Sequence, residues 1–338
     1  MGVYRLILAY MVVFGHMYQP FLGFYGVGVS AVISFFLLSG FVMTALIKKY
    51  YFTISSIPSF YVERFLRLTP QFYFYSIITL IGAMFFGLRH DFMQAVPSIK
   101  SLILQFGLVP LDLYRYFPSM LLPQAWSLGL EVLFYAVFPF VMLYGLRFSL
   151  AVLSLCMYLA AYLGYIDNEL WGYRYLPGTF FIFICGSFLH TAKERKETLF
   201  VYFVFIGTIV LLGLTYLYSH LASLYNRSVL IGLVLGIPAV WWLKPLSHES
   251  GKGNTIDGLA GNLSYGVFLS HMFVIGSLET FYNLKIGGLG IWQDAEVIVL
   301  VFITATALSY LSFNILEKPL VDLRRKGRQR HLDVNRKA

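Results

Sequence analysis

Charge is scarce in this chain. Of its 338 residues only 12% are Asp, Glu, Lys or Arg, while 59% are hydrophobic. Soluble domains carry about 25% charged residues, so the composition excludes a water-soluble globular chain and predicts an all-α, polytopic membrane protein. Acid is scarcest, with 16 acidic residues against 25 basic ones and a net charge of +9. Cysteine is nearly absent: Cys156 and Cys185 both fall in apolar runs, which excludes a disulfide framework and a cysteine metal site. Long polar stretches are missing too. The longest loops run over about 89–121 and 48–68, too short for a soluble domain. The first apolar run lacks a basic segment followed by a small-residue cleavage motif, so it reads as a retained helix. Residues 1–338 are expected to form one membrane domain without internal repeats.

What the chain does have is apolar runs of membrane length. Ten spans are predicted at about 4–22, 27–47, 69–88, 122–145, 147–166, 174–190, 199–219, 228–244, 260–282 and 296–316. The stretch 101–114 is apolar but short and runs into Pro110 and Asp112, so it is assigned as interfacial or re-entrant. With the N-terminus inside, only Arg89, Lys100, Arg115, Arg174, Arg227 and Lys285 of the 25 basic residues fall outside. That bias follows the positive-inside rule and places both termini in the cytoplasm. The basic tail at 317–338 then faces anionic lipid, and no nucleic-acid partner is needed to explain it.

Against this apolar background the ionisable residues stand out, because a charge at mid-membrane costs about 2.5–3.5 kcal/mol. Arg5 and His16 lie eleven residues apart in the first run. In a helix that is a rise of roughly 17 Å and a return to almost the same face. A snorkelling anchor accounts for Arg5 equally well, and a packing histidine for His16. An imidazole can also take a proton from a hydroxyl and return it. Arg64 and Arg67, in YVERFLRLTP, share a helix face at the expected inner mouth of the third span. Two planar forks there would suit phosphates; Glu63 is placed to neutralise one of them.

Glu131 is the one acid well inside any predicted span. It belongs to QAWSLGLEVLFY, where Ser127, Glu131 and Tyr135 follow an i,i+4 rhythm behind Trp126. The stripe serves either helix packing or a carboxylate beside His16, which would orient the ring as in a catalytic triad. Ser264 and His271, seven apart in SYGVFLSH, share a face in the ninth span, for packing, gating or chemistry. Gly28, Ser34, Ser39 and Gly40 would let helices approach closely, or line a substrate channel. His90, His190, His220, His248 and His331 read as structural, and no pair of histidines has metal-ligand spacing.

Taken together, these residues resemble the acyltransferase 3 family of integral membrane acyltransferases, which modify bacterial surface polysaccharides and related acceptors. The matches run in order along the chain: Arg5-x10-His16, FFLLSGF at 35–41, Arg64-x-x-Arg67, WSLGLEVLFY at 126–135, SYGVFLSH at 264–271 and Glu317-Lys318-Pro319. One departure is that family members usually place an acidic residue and Gly before the first Arg and Gly after it. Here Met-Gly-Val-Tyr precedes Arg5 and Leu6 follows. No appended hydrolase-like domain is found, so the likeness is to the stand-alone ten-span form.

The resemblance implies a bacterial inner-membrane enzyme that moves an acyl group, acetyl by preference, from cytoplasmic acyl-CoA to a glycan hydroxyl. It implies no metal. Arg64 and Arg67, with Arg5, would hold the donor's phosphates. His16, oriented by Glu131, would be the catalytic base or acyl carrier. Ser39, Trp126, Ser127, Tyr135, Ser264 and His271 would line the site, and the partners would be lipid, a glycan and polysaccharide-assembly proteins. The competing class is a proton-coupled transporter or flippase using His16 and Glu131 as a relay. Neither an inverted repeat nor a matched pair of broken helices supports it.

Overall fold

A computed structural model describes residues 1–17, 26–191, 195–244, 256–284, 291–321, 323–324 and 327–329. Residues 18–22 of the first expected span, Lys193, His248, Lys252, Lys285, His331 and most of the basic tail lie outside the described residues. The helices are α1 (Gly2–Met17), α2 (Val27–Tyr50), α3 (Ile57–Phe85), α4 (Ile99–Phe106), α5 (Trp126–Leu143) and α6 (Arg147–Tyr162). They continue as α7 (Leu176–Thr191), α8 (Arg195–Leu217), α9 (Leu224–Leu243), α10 (Ile256–Tyr282) and α11 (Ile291–Ser312). Among the described residues there is no strand, only one isolated bridge between His90 and Met93. The all-α class is therefore as the composition predicts.

Each of the ten expected spans coincides with one helix. Seven are long and apolar enough to cross a membrane: α2, α3, α5, α8, α9, α10 and α11. The helices α1, α6 and α7 are shorter, at 16 residues each. The stretch 101–114 forms α4, eight residues long, and then a 3-10 turn over Val109–Tyr116 kinked at Leu113. At about 1.5 Å per residue α4 reaches only ~12 Å, too short to span. One boundary differs clearly from expectation. The third span was expected to begin at about 69, whereas α3 begins at Ile57 and carries Arg64, Arg67 and Pro70 inside it. The charged turn does not end the helix because ion pairs within the protein satisfy it.

The chain falls into two compact units. The first contains α1, α4, α10 and α11, with α3 from Glu63 onward and α5 up to Val132. Here α1 lies on α10 at backbone contact: a Cβ on Gly2 would sit 1.7 Å from the Asp257 carbonyl oxygen. The Asp257 carboxylate caps α1, accepting from the Val3 N–H at 3.0 Å and from the Met1 amino group at 3.0 and 3.1 Å. Farther along, α11 meets α10 through small residues. The Ser309 hydroxyl donates to the Leu263 carbonyl at 2.7 Å beside Gly266, and Ser270 donates to the Ala305 carbonyl at 3.3 Å. Small residues let the helices close to this distance, which dispersion needs where lipid removes the hydrophobic drive.

The connection between α3 and α5 is folded onto the same unit. Gln105 pins α4, its amide donating to the Ser119 carbonyl at 3.0 Å and accepting from the Leu121 N–H at 2.9 Å. A Cβ on Gly129 would meet the Leu108 carbonyl at 2.8 Å, so the glycine of WSLGLE is where α5 touches the turn after α4. His90 is almost fully buried here. Its Nε2 donates to the Leu121 carbonyl at 3.3 Å, while Nδ1 accepts from the Phe92 N–H at 3.3 Å. Those partners require the neutral Nε2–H tautomer, and burial pushes the imidazole down to about 4.

The second unit holds α2, α6, α7, α8 and α9, with α5 from Leu133 onward. Its centre is the crossing of α2 and α7. A Cβ on Gly40 would fall 1.8 Å from the Phe183 carbonyl oxygen, and one on Gly186 would fall 1.9 Å from that of Leu37. The expected small-residue role thus holds for Gly40. It holds also for Ser34, whose hydroxyl donates to the Gly232 carbonyl of α9 at 3.2 Å. Phe134 and Phe183 stack at 4.7 Å beside this crossing. A part-buried charge pair, Arg147 with Glu197 at 2.6 Å, is completed by Ser187 and Thr191.

Gly186→Val must push two helix backbones apart, so it is expected to cost about 3 kcal/mol and lower the unfolding temperature of the purified chain. Gly207→Ala, in open space on α8, should be neutral or slightly stabilising. For His90, the folded pKa lies below the ordinary 6.5, so the unfolded state binds more protons between the two values. Its contribution is complete above about pH 6.5 and lost as pH falls toward 4, in total roughly 3 kcal/mol. Unfolding followed from pH 7 to 4 should show that slope in the wild type and a flatter one in His90→Gln.

Candidate functional site

The first unit gathers two sets of polar side chains, one around His16 and one around Arg67. His16, at the last turn of α1, is exposed, so a ligand can reach its ring. The imidazole of His271, on α10, lies 5.2 Å away between ring centroids and is tilted by 34°. Phe92 presents its edge to His16 at 6.1 Å. His271 has no exposure, and neither of its ring nitrogens has a hydrogen-bond partner. The structure therefore brings the histidine of the first motif to that of the SYGVFLSH motif, a meeting the spacing of neither predicted.

The WSLGLE segment enters α5 beside this stretch of α10. Gln124, just before α5, donates its amide to the Leu269 carbonyl at 2.8 Å and leaves Oε1 buried without a partner. Trp126 and Ser127 are buried, and Ser127 donates to the Gln124 carbonyl at 3.1 Å. Glu131 is half-buried one turn farther along α5. Ser264 is buried and spends its hydroxyl on the Gly261 carbonyl one turn back at 2.9 Å, a local bond that answers to helix packing. Ser39 and Tyr135 belong to the second unit, where Ser39 is half-buried and Tyr135 packs edge-on against Phe60 at 6.3 Å.

The second set is built on Glu317. Its carboxylate accepts from Arg67, from Gln71 at 3.0 Å and from Arg324 at 3.2 Å. The Arg67 guanidinium also lies over the Tyr265 ring at 5.3 Å. Glu63 accepts from Arg64 at 2.5 Å, as the sequence allowed. Among the described residues three guanidinium groups thus converge against two carboxylates, which leaves one positive charge in excess. Burial, then the Arg67 charge, brings Arg324 down to about 10 against the opposing pull of Glu317. Arg5 is half-buried in the second turn of α1.

Sequence reasoning missed Gln71, Gln124 and Arg324. Gln71 could have been found, since it follows Arg67 by four residues and so shares its helix face. Charge pattern places Arg324 in a lipid-facing tail, but it is buried on Glu317. That contact spans α3 and the end of the chain, and no local pattern carries it. Among the described residues, no three His, Cys, Asp or Glu side chains cluster as a metal site would need.

Comparison with known proteins fits this arrangement. An exopolysaccharide production protein, ExoZ, of Rhizobium meliloti is 25% identical over 322 residues, covering 90% of this chain and 92% of its own. An uncharacterized protein of Aquifex aeolicus is 31% identical over 212 residues, covering 61% of this chain and 91% of its own. The peptidoglycan O-acetyltransferase OatA of Listeria monocytogenes is 25% identical over 342 residues, covering 88% of this chain and 51% of its own. No solved structure matches the chain. The acyltransferase 3 family, described as an acyltransferase domain, matches residues 2–313, a span that takes in His16, the Arg64-x-x-Arg67 pair, Glu131 and His271. The chain belongs to that family.

Proposed function

We propose that the protein is a membrane O-acyltransferase that moves an acyl group, acetyl by preference, from cytoplasmic acyl-CoA to a hydroxyl of a cell-surface or lipid-linked glycan. The observation that carries the reading is the family match over residues 2–313. The names of two relatives, an exopolysaccharide production protein and a peptidoglycan O-acetyltransferase, support a glycan acceptor and an acetyl group. The inner membrane of a bacterium, with both chain ends in the cytoplasm, is the location that the basic-residue bias favours.

On this reading the donor's phosphates meet Arg64 and Arg67, with Arg5 along the path. The excess positive charge of the Glu317 cluster favours an anion there, and the guanidinium forks suit phosphate oxygens. About 17 Å of helix rise separates Arg5 from His16, a distance that an extended pantetheine arm can cover. The acceptor enters from the outer side, where the exposed His16 removes its hydroxyl proton. Glu131 orients that ring and stabilises its charged form. Trp126, Ser127 and Ser264 shape the walls, and Ser39 and Tyr135 are carried by motif position.

Membranes holding the chain and supplied with radiolabelled acetyl-CoA should place label in glycan. His16→Ala at matched abundance should lower that transfer by about 10²–10⁴-fold. Equal transfer by both would remove His16 from the chemistry. Proton-dependent glycan flux without acylation would favour the transporter. Arg67→Lys keeps the charge and loses the fork, so CoA binding to the purified chain should weaken by about tenfold.

A further inference from the structure

The same unit contains two buried histidines in opposite states. His90 has a partner on each nitrogen, the usual condition of a structural histidine in a protein core. His271 is at least as deeply buried and has none. The carbonyl groups of Val267 and Phe268, one turn back on α10, are near the ring, yet neither completes a hydrogen bond. The imidazole also makes no direct bond to His16, although the rings are 5.2 Å apart.

Gln124 shows the same excess of hydrogen-bonding capacity. The Leu269 carbonyl can only accept, so the amide must turn its NH2 that way and leave Oε1 unused. The two residues before His271 are tied to neighbouring segments, Leu269 through its carbonyl to Gln124 and Ser270 through its hydroxyl to the Ala305 carbonyl. The ring itself is fully enclosed by its packing. What satisfies it has to arrive, and what arrives beside His16 in an acyl transfer is the reacting ester group.

Resting on the acyl-transfer reading above, we propose that His271 is a second catalytic imidazole, donating an N–H to the thioester carbonyl oxygen as that oxygen becomes an oxyanion. The acceptor hydroxyl oxygen forms its bond to the carbonyl carbon while His16 takes the hydroxyl proton, and the carbonyl π pair moves onto oxygen. His271 holds that negative charge by one preorganised hydrogen bond. Collapse re-forms the C=O bond and breaks the C–S bond. The departing CoA thiolate takes the proton from His16, leaving an ester and free CoA thiol. His16 is the ring that becomes charged in this step, so the neutral form of its neighbour fits, because two cations at this separation oppose each other.

The test uses the full chain in membranes with radiolabelled acetyl-CoA and the membrane glycan as acceptor. His271→Leu should lower kcat by about 10²–10³-fold, with KM for acetyl-CoA within about threefold. His271→Gln, which restores an amide N–H, should recover at least tenfold over the Leu variant. The unfolding temperature of His271→Leu should stay level or rise, because the substitution removes an unsatisfied polar group from the core. A merely structural histidine gives the opposite set: a lower unfolding temperature, activity that follows folded protein, and no advantage of Gln over Leu. That set overturns the proposal, as does a Leu variant with more than half of wild-type kcat. No label transfer by the wild type, where His271 variants have nothing to lose, overturns the acyl-transfer reading itself and this step with it.

Discussion

In hydrocarbon no water is available to satisfy a polar group, so each one inside the protein must find its partner within the protein. Many polar side chains among the described residues of the first unit obey that constraint. Ser264, Ser270 and Ser309 give their hydroxyls to helix carbonyls. Asp257 caps the first helix, and Glu317 gathers two arginines and a glutamine from distant parts of the chain. The same rule explains why α3 runs through a turn carrying Glu63, Arg64 and Arg67 without breaking. Departures among the described residues include Gln71, Thr79 and Gln124, but only His271 leaves both ring nitrogens without a partner, and it lies beside His16.

Packing supplies the rest of the architecture. Because lipid tails are as apolar as leucine, helices adhere through close contact, and the closest contacts occur where a side chain is reduced to hydrogen or a hydroxyl. Gly40 against Phe183 and Gly186 against Leu37 join α2 to α7, and Gly2 against Asp257 joins α1 to α10. This last contact answers a local oddity of the sequence. The first helix lacks the acidic and glycine residues that usually flank its arginine in the family. It is held instead by a carboxylate from α10.

The two polar sets differ in a way that matters for chemistry. Around Glu317 opposite charges already meet, so an incoming anion competes with Glu63 and Glu317 for guanidinium groups and gains from the single excess positive charge. Around His16 one ring is exposed and its neighbour lacks partners, so an incoming polar group gains bonds that were absent before. The first arrangement suits reversible holding of a charged donor. The second suits an environment complementary to a reacting group more than to a resting one.

The sequence by itself determined the helical class and the placing of the long apolar runs, seven of which form helices long and apolar enough to cross a membrane, because these depend on composition and run length. It also determined the family, through motifs that keep their order from Arg5 to Pro319. The boundary of α3 was not legible, since charges near a proline look like a helix end until their partners are known. Nor was the burial of Arg324, which depends on a carboxylate seven residues earlier and an arginine some 250 residues away in the chain. Only the tertiary structure decided that His90 is satisfied, that His271 is not, and that His271 faces His16. A histidine's role depends on what its two nitrogens meet, and periodicity says which face a side chain occupies but never what waits opposite it.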